Sequence, residues 1–257
     1  MSAKVALVTG SSRGIGSAIA KKLAEDGFHV AINYYETGQL DPQLKQSNEK
    51  EAAQVLAAII QNGGHADIWG ADVSDSLAVQ KMTAAIEKKW GHIDVLVNNA
   101  GIINDQLLLR ISDEQWDQII RTNLNSAFYC CRAALRPMVK NRYGRIINIT
   151  SVVGISGNVG QSHYAASKSG LIGLTRSLAQ EYGGRGITAN LIAPGYIESA
   201  MTAQIPAGTA AKTLERIPLR RMGVPEDVAG VASFLASPAA DYITGQIIQV
   251  DGGMLMG

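Results

Sequence analysis

Seven short apolar runs, each followed by a segment with helical spacing or by a turn, decide what this chain can fold into. They are Lys4–Gly10 (KVALVTG), His29–Asn33 (HVAIN), the start of HADIWGADVSD at His65, and His92–Gly101 (HIDVLVNNAG). GRIINIT from Gly144, Ile187–Gly195 (ITANLIAPG) and GQIIQVDGG from Gly245 complete the set. Each is too short for a helix and apolar at successive positions, the pattern of strands covered on both faces. Strands that alternate with helices predict an α/β fold, with a parallel sheet of about seven strands and helices on both sides. The 257 residues read as one domain, 1–257, without repeats or linkers, and 46% hydrophobic content supplies its core.

The helices are punctuated. Ala18, Ile19 and Leu23 recur at helical spacing until Gly27. A polar stretch, 36–48, reads as a long loop, and a helix then starts near Asn48 with Glu51 completing a capping box. Further helices are expected up to Trp90, from Ser112 and Gln115 to about Lys140, through Leu171, Leu174 and Leu178 to Gly183, and from Pro225 to Ala236. Residues 196–222, broken by Pro206, Gly208 and Pro218, read as a lid over a site.

Charge and cysteine exclude several functions. Lys plus Arg number 23 against 22 Asp plus Glu, so neither nucleic acid nor an anionic membrane is an expected partner. Cys130 and Cys131 are adjacent, so their side chains diverge; buried thiols are expected, with no disulfide and no metal site. No apolar run approaches the ~18 residues of a membrane span, and no signal-peptide pattern is seen, so a cytoplasmic location is expected.

Three places carry chemistry. Between the first strand and helix lies Gly10-Ser11-Ser12-Arg13-Gly14-Ile15-Gly16, whose glycines allow a tight turn and whose helix N-terminus offers free N–H groups to a pyrophosphate. This marks a Rossmann-type, doubly wound sheet. The residues closing the second strand, Asn33, Tyr34 and Tyr35, are expected to face the adenosine ribose. No Asp stands there to repel a 2′-phosphate, and Arg13 offers a forked donor to one, so NADP(H) is expected, with NAD(H) the alternative. Asp72-Val73 is placed to meet the adenine edge, and Asn98-Asn99-Ala100-Gly101 ends the fourth strand with residues that let a ligand approach. Finally, Tyr164 and Lys168 share one helix face, thirteen residues beyond Ser151 at a strand end. A lysine there would favour the phenolate, and the serine hydroxyl would bind a carbonyl oxygen beside it, as proton transfer to a carbonyl requires. Asn123 is a polar residue in the apolar setting TNLNSAF, where something must hydrogen-bond it.

Thr9-Gly10…Gly14-Ile15-Gly16, Asp72-Val73, Asn98-Asn99-Ala100-Gly101, Asn123, Ser151, Tyr164…Lys168 and Pro194-Gly195 stand in one order along the chain. In this it resembles the short-chain dehydrogenase/reductase family over essentially its whole length. AGIINDQLLLRIS, SVVGISGNVGQSHYAASKSG and DYITGQIIQVDGGMLMG are similar to its 3-oxoacyl-[acyl-carrier-protein] reductases. The resemblance implies NADPH-dependent reduction of a 3-oxoacyl thioester, on acyl carrier protein or CoA, in a homotetramer. It implies Tyr164 as general acid, Ser151 polarising the carbonyl, Lys168 holding the nicotinamide ribose, and Asn123 positioning a water that links Lys168 to solvent. Asn99, Ala100 and Gly101 would line the cofactor, and Pro194, Gly195, Ile197 and Ser199 the nicotinamide. Arg142 and Arg185 match the arginines that dock the acidic carrier. The stretch 36–48 looks roughly ten residues longer than the family's connection; it is expected to lie over the adenine. The competing expectations are a dehydrogenase of a small or cyclic alcohol or ketone, and a non-catalytic NADP-binding sensor, which would need none of the four residues Asn123, Ser151, Tyr164 and Lys168.

Overall fold

The computed structural model describes residues 3–39, 41–198 and 214–256. Its centre is a seven-stranded parallel sheet in the order β3-β2-β1-β4-β5-β6-β7. The strands are β1 (Val5–Val8), β2 (His29–Tyr34), β3 (His65–Gly70), β4 (Val95–Asn98), β5 (Gly144–Ile149), β6 (Ile187–Pro194) and β7 (Ile247–Val250). Every ladder is parallel, with Leu7 opposite Ala31 on one side and Leu96 on the other. The chain winds outward from β1 to β3, returns to the centre at β4 and winds outward to the opposite edge at β7. The order therefore reverses between β1 and β4, where sheets of this kind open a crevice at their C-terminal edge.

Alternation along each strand explains the two layers. Ala6 and Val8 point to one core, with Ile19 and Leu23 of α1 (Gly14–Glu25), Val55 and Ile59 of α2 (Pro42–Gln61), and Val228 and Leu235 of the C-terminal helix Pro225–Ala236. Val5 and Leu7 point to the other, with Val79 and Ile86 of α3 (Ser76–Trp90), Cys130, Ala134 and Met138 of the helix Ser126–Asn141, and Leu178 of the helix Ser162–Tyr182. Burying each such side chain contributes roughly 1.5–3 kcal/mol. The cysteines are free and buried, and burial pushes both thiols up, Cys131 to about 12.

On that second face, α4 (Asp113–Ile120) begins with the expected capping box. Ser112 Oγ accepts from Gln115 N at 3.3 Å, and Gln115 Oε1 accepts from Ser112 N at 3.0 Å. It runs through a π-helical turn, Arg121–Asn125, into α5 (Ser126–Asn141). A one-turn helix α6 (Val153–Ser156) follows β5, then α7 (Ser162–Tyr182); Pro225–Ala236 is α8.

One boundary differs from expectation. The long loop over 36–48 is mostly helix, because α2 starts at Pro42 rather than near Asn48. Asp41 is its N-cap, accepting from Gln43 N at 2.9 Å and Leu44 N at 3.3 Å, and Pro42 sits where its missing N–H costs nothing. The polar residues 42–47 therefore form almost two helical turns. Of the lid, residues 199–213, with Ser199, Pro206 and Gly208, lie outside the described residues.

Candidate active site

The glycine turn and the end of β4 are built against each other. Gly10 sits at φ 61°, and a Cβ there would fall 2.9 Å from Ala100 Cα. A Cβ on Gly16 would fall 2.5 Å from both Asn99 Nδ2 and Gly10 O, so the N-terminus of α1 approaches as only glycine allows. Asn99 Nδ2 donates to the carbonyls of Thr9 and Gly10, both at 3.0 Å, while Thr9 Oγ1 accepts from Asn99 N and Ala100 N. The result is a rigid cradle with the first N–H groups of α1 open above it. Arg13 and Gly14 are exposed, Ser12 is half-buried, and Ile15 packs on the core. These residues fit a dinucleotide pyrophosphate.

At the end of β2 the structure corrects one expectation and fills in another. Asn33 does not face a ribose. It is buried, accepts from Gly10 N at 3.1 Å and donates to the carbonyls of Tyr34, Trp69 and Ala71, so it knits the glycine turn to β3. Tyr34 is also buried, and its hydroxyl donates to Glu36 at 3.0 Å. Tyr35 is half exposed, and the Asp72 charge helps hold its phenol above its ordinary value, after burial. Asp72 Oδ1 also accepts from Ser74 N at 2.8 Å, and Val73 is buried beside it. Arg13 is not free, as it pairs with Glu51 at 3.4 Å.

The other side of the switch point gathers the four expected catalytic residues. Burial holds the Tyr164 phenol above its ordinary range; a hydrogen bond with Ser151 pulls it partly back, and the Asp105 charge adds to the rise. Lys168 is the opposite case. Burial lowers its ammonium from an ordinary 10.5 to about 8, its Nζ donates to Ile149 O at 2.9 Å, and it lies 5.7 Å from the centre of the Tyr164 ring. Burial is the first cause of both shifts, and it favours the neutral form of each group. Asn123, only 2% exposed, sits in the π-helical turn, accepts from Ile102 N at 2.8 Å and donates to Ile102 O at 2.9 Å. It also donates to Ser167 Oγ at 3.2 Å, which places it against α7. A Cβ on Gly101 would lie 3.2 Å from Asn123 Oδ1 and 3.5 Å from Lys168 Nζ, so all three meet. Pro194 O accepts from Val152 N at 3.1 Å, latching the end of β6 to the Ser151 turn. Gly195 N donates to Val250 O, and Ile197 pairs with Gly223.

A link between the crossover loops is new. Gln161 Nε2 donates to Asp105 Oδ1 at 2.8 Å, Asn158 Nδ2 donates to Gln161 Oε1 at 2.9 Å, and Gln106 N donates to Gly160 O at 2.7 Å. Polar residues flanking both motifs were its only sequence signal. Arg142 reaches the turn that carries Arg185, donating to Gly184 O at 3.2 Å, and both arginines stand at the N-terminal edge of β5 and β6. At ~3.3 Å per residue, β5 sets them roughly 20 Å from Ser151. Among the described residues no cluster of His, Cys, Asp or Glu could hold a metal ion, and no helix is long and apolar enough to cross a membrane.

Residues 10–255 match the family described as Enoyl-(Acyl carrier protein) reductase. The chain is 47% identical over 257 residues to a 3-oxoacyl-[acyl-carrier-protein] reductase of Synechocystis sp., covering 100% of this chain and 98% of that protein. It is 46% identical over 253 residues to 3-oxoacyl-[acyl-carrier-protein] reductase FabG of Staphylococcus epidermidis, covering 98% and 99%. A crystal structure of a putative gluconate dehydrogenase from Agrobacterium tumefaciens superposes with a TM-score of 0.91 at 35% identity, covering 100% of this chain and 97% of that one. With the motifs gathered at one sheet edge and these matches running along its whole length, the chain belongs to the short-chain dehydrogenase/reductase family.

Proposed function

We propose that the protein reduces a 3-oxoacyl thioester, on acyl carrier protein or CoA, to the 3-hydroxyacyl thioester with NADPH, as its relatives' names suggest. The observation that carries the reading is the Tyr164–Ser151 hydroxyl pair, set beside the glycine cradle with Lys168 and Asn123 behind it. When bound, a nicotinamide dinucleotide would supply the hydride that the carbonyl carbon takes. As charge develops on the carbonyl oxygen, Tyr164 Oη donates its proton there and Ser151 Oγ donates a hydrogen bond. Lys168, at the base of the site, holds the nicotinamide ribose and stabilises the phenolate left on Tyr164. Asn123, fixed by Ile102 and Ser167, holds a water through which Lys168 regains protons. Gly10, Ser12, Gly14, Ile15 and Gly16 hold the pyrophosphate; Arg13 meets the 2′-phosphate; Asp72 and Val73 border the adenine; Asn99, Ala100, Gly101, Pro194, Gly195 and Ile197 line the rest. Arg142 and Arg185 meet an acidic carrier, and the protein works as a homotetramer in the cytoplasm.

The test is a substrate panel: acetoacetyl-CoA, a carrier-bound 3-oxoacyl substrate and small or cyclic alcohols, each with both coenzymes. The expected result is reduction of both thioesters, at least about tenfold more efficient with NADPH, the low end for one charge-assisted phosphate contact. Turnover of alcohols with no turnover of thioesters would favour the alcohol dehydrogenase reading instead.

A further inference from the structure

Two cations border the end of β2, and each is held by a carboxylate. Arg13 pairs with Glu51 at 3.4 Å while its side chain stays 75% exposed. Lys45 pairs with Glu36 at 2.5 Å, and Glu36 also accepts from the Tyr34 hydroxyl. Lys45, Asn48 and Glu51 recur every three residues, so they lie close together along one side of α2. Asn48 is buried between them, and its amide donates to Tyr35 O at 3.0 Å, which fixes that side over the residues leaving β2. Lys45 and Glu51 thus stand about 9 Å apart along the helix axis, on either side of the Tyr35 clasp. Lys45 belongs to the polar turns that precede Asn48, the part of the helix that no apolar pattern requires.

We propose that these first turns of α2 supply Lys45 as a second cation for the 2′-phosphate of NADP(H), beside Arg13, and that Glu36 and Glu51 are the counterions the phosphate displaces. This rests on the reading of the chain as an NADP(H)-dependent reductase and names what sets its coenzyme preference. Exposed ion pairs hold weakly, whereas charge-assisted bonds to a phosphate dianion are strong, so the exchange favours the phosphate. A coenzyme without that phosphate leaves both pairs closed and gains no contact from either cation. The extension is then part of the phosphate site and not a cover over the adenine.

Calorimetric titration with 2′,5′-ADP and 5′-ADP reads this without turnover. Lys45→Ala is expected to weaken 2′,5′-ADP by about tenfold, the low end for one charge-assisted contact, and to leave 5′-ADP unchanged. Glu36→Gln is expected to strengthen 2′,5′-ADP, and Lys45→Arg to restore most of what the alanine loses. Thermal unfolding of each variant shows that it folds. If Arg13→Ala lowers the preference for 2′,5′-ADP but Lys45→Ala does not, the proposal is wrong and Lys45–Glu36 is a surface pair. A wild-type protein that binds the two nucleotides equally would overturn the NADP(H) reading itself.

Discussion

Lys168 shows how far a single residue departs from its ordinary chemistry in this fold. With burial lowering its pKa to about 8 from an ordinary 10.5, its ammonium costs the fold about 3 kcal/mol at pH 7, where both folded and unfolded chains carry the proton. Between about pH 8 and 10.5 the unfolded chain binds the extra proton, so this residue's penalty shrinks as pH rises through that window. Lys168→Met keeps the shape and removes the charge. It is expected to raise the thermal midpoint by several degrees while abolishing reduction, a trade between stability and function. A lower midpoint in calorimetry would mean that the bond to Ile149 O outweighs burial. The same pKa predicts that kcat/KM for reduction is flat below about pH 8 and falls above it as Lys168 loses its charge. An unchanged limb in Lys168→Arg would reassign that titration to another group.

Elements explain what the sequence could show and what it could not. The inner strands were legible because burial on both faces keeps them largely apolar, and α8 was legible because Pro225 marks its first turn. The start of α2 was obscured by two competing cap signals. Asn48 with Glu51 coincided with the onset of apolar residues, while Asp41-Pro42 preceded two turns whose side chains meet charges instead of the core. Asn123 stood out as a polar residue in apolar surroundings, but the π-helical turn that aims it at Ile102 has no compositional signature. The Asp105–Gln161 bond joins loops 56 residues apart in the chain, so only the fold reveals it. That bond carries a prediction of its own. Besides burial, Asp105 raises the Tyr164 phenol, so Asp105→Asn is expected to lower it and move the acidic limb of alcohol oxidation, which needs the phenolate, to lower pH. A pH profile of 3-hydroxyacyl-CoA oxidation shifted upward, or not at all, would remove Asp105 from the electrostatics of the site.

At the scale of the whole molecule, the sheet separates two groups of residues. Its C-terminal edge holds the cradle and the four polar residues, while its N-terminal edge holds Arg142 and Arg185. Reversing both arginines to Glu is expected to raise the Michaelis constant for a carrier-bound substrate and to spare acetoacetyl-CoA. Equal losses on both would place the arginines in the fold instead. Phe128 on α5, Trp116 on α4, and Leu107, Leu108 and Leu109 leave apolar area exposed on the single chain, which suits burial against further copies. Light scattering at micromolar concentration is expected to give a tetramer, and a monomer would exclude that assembly. The proton donor is tested most directly by Tyr164→Phe, assayed for acetoacetyl-CoA reduction and, separately, for coenzyme binding. Coenzyme affinity should be unchanged while turnover falls by about two to four decades. A variant that keeps more than about a tenth of wild-type turnover would contradict Tyr164 as the general acid.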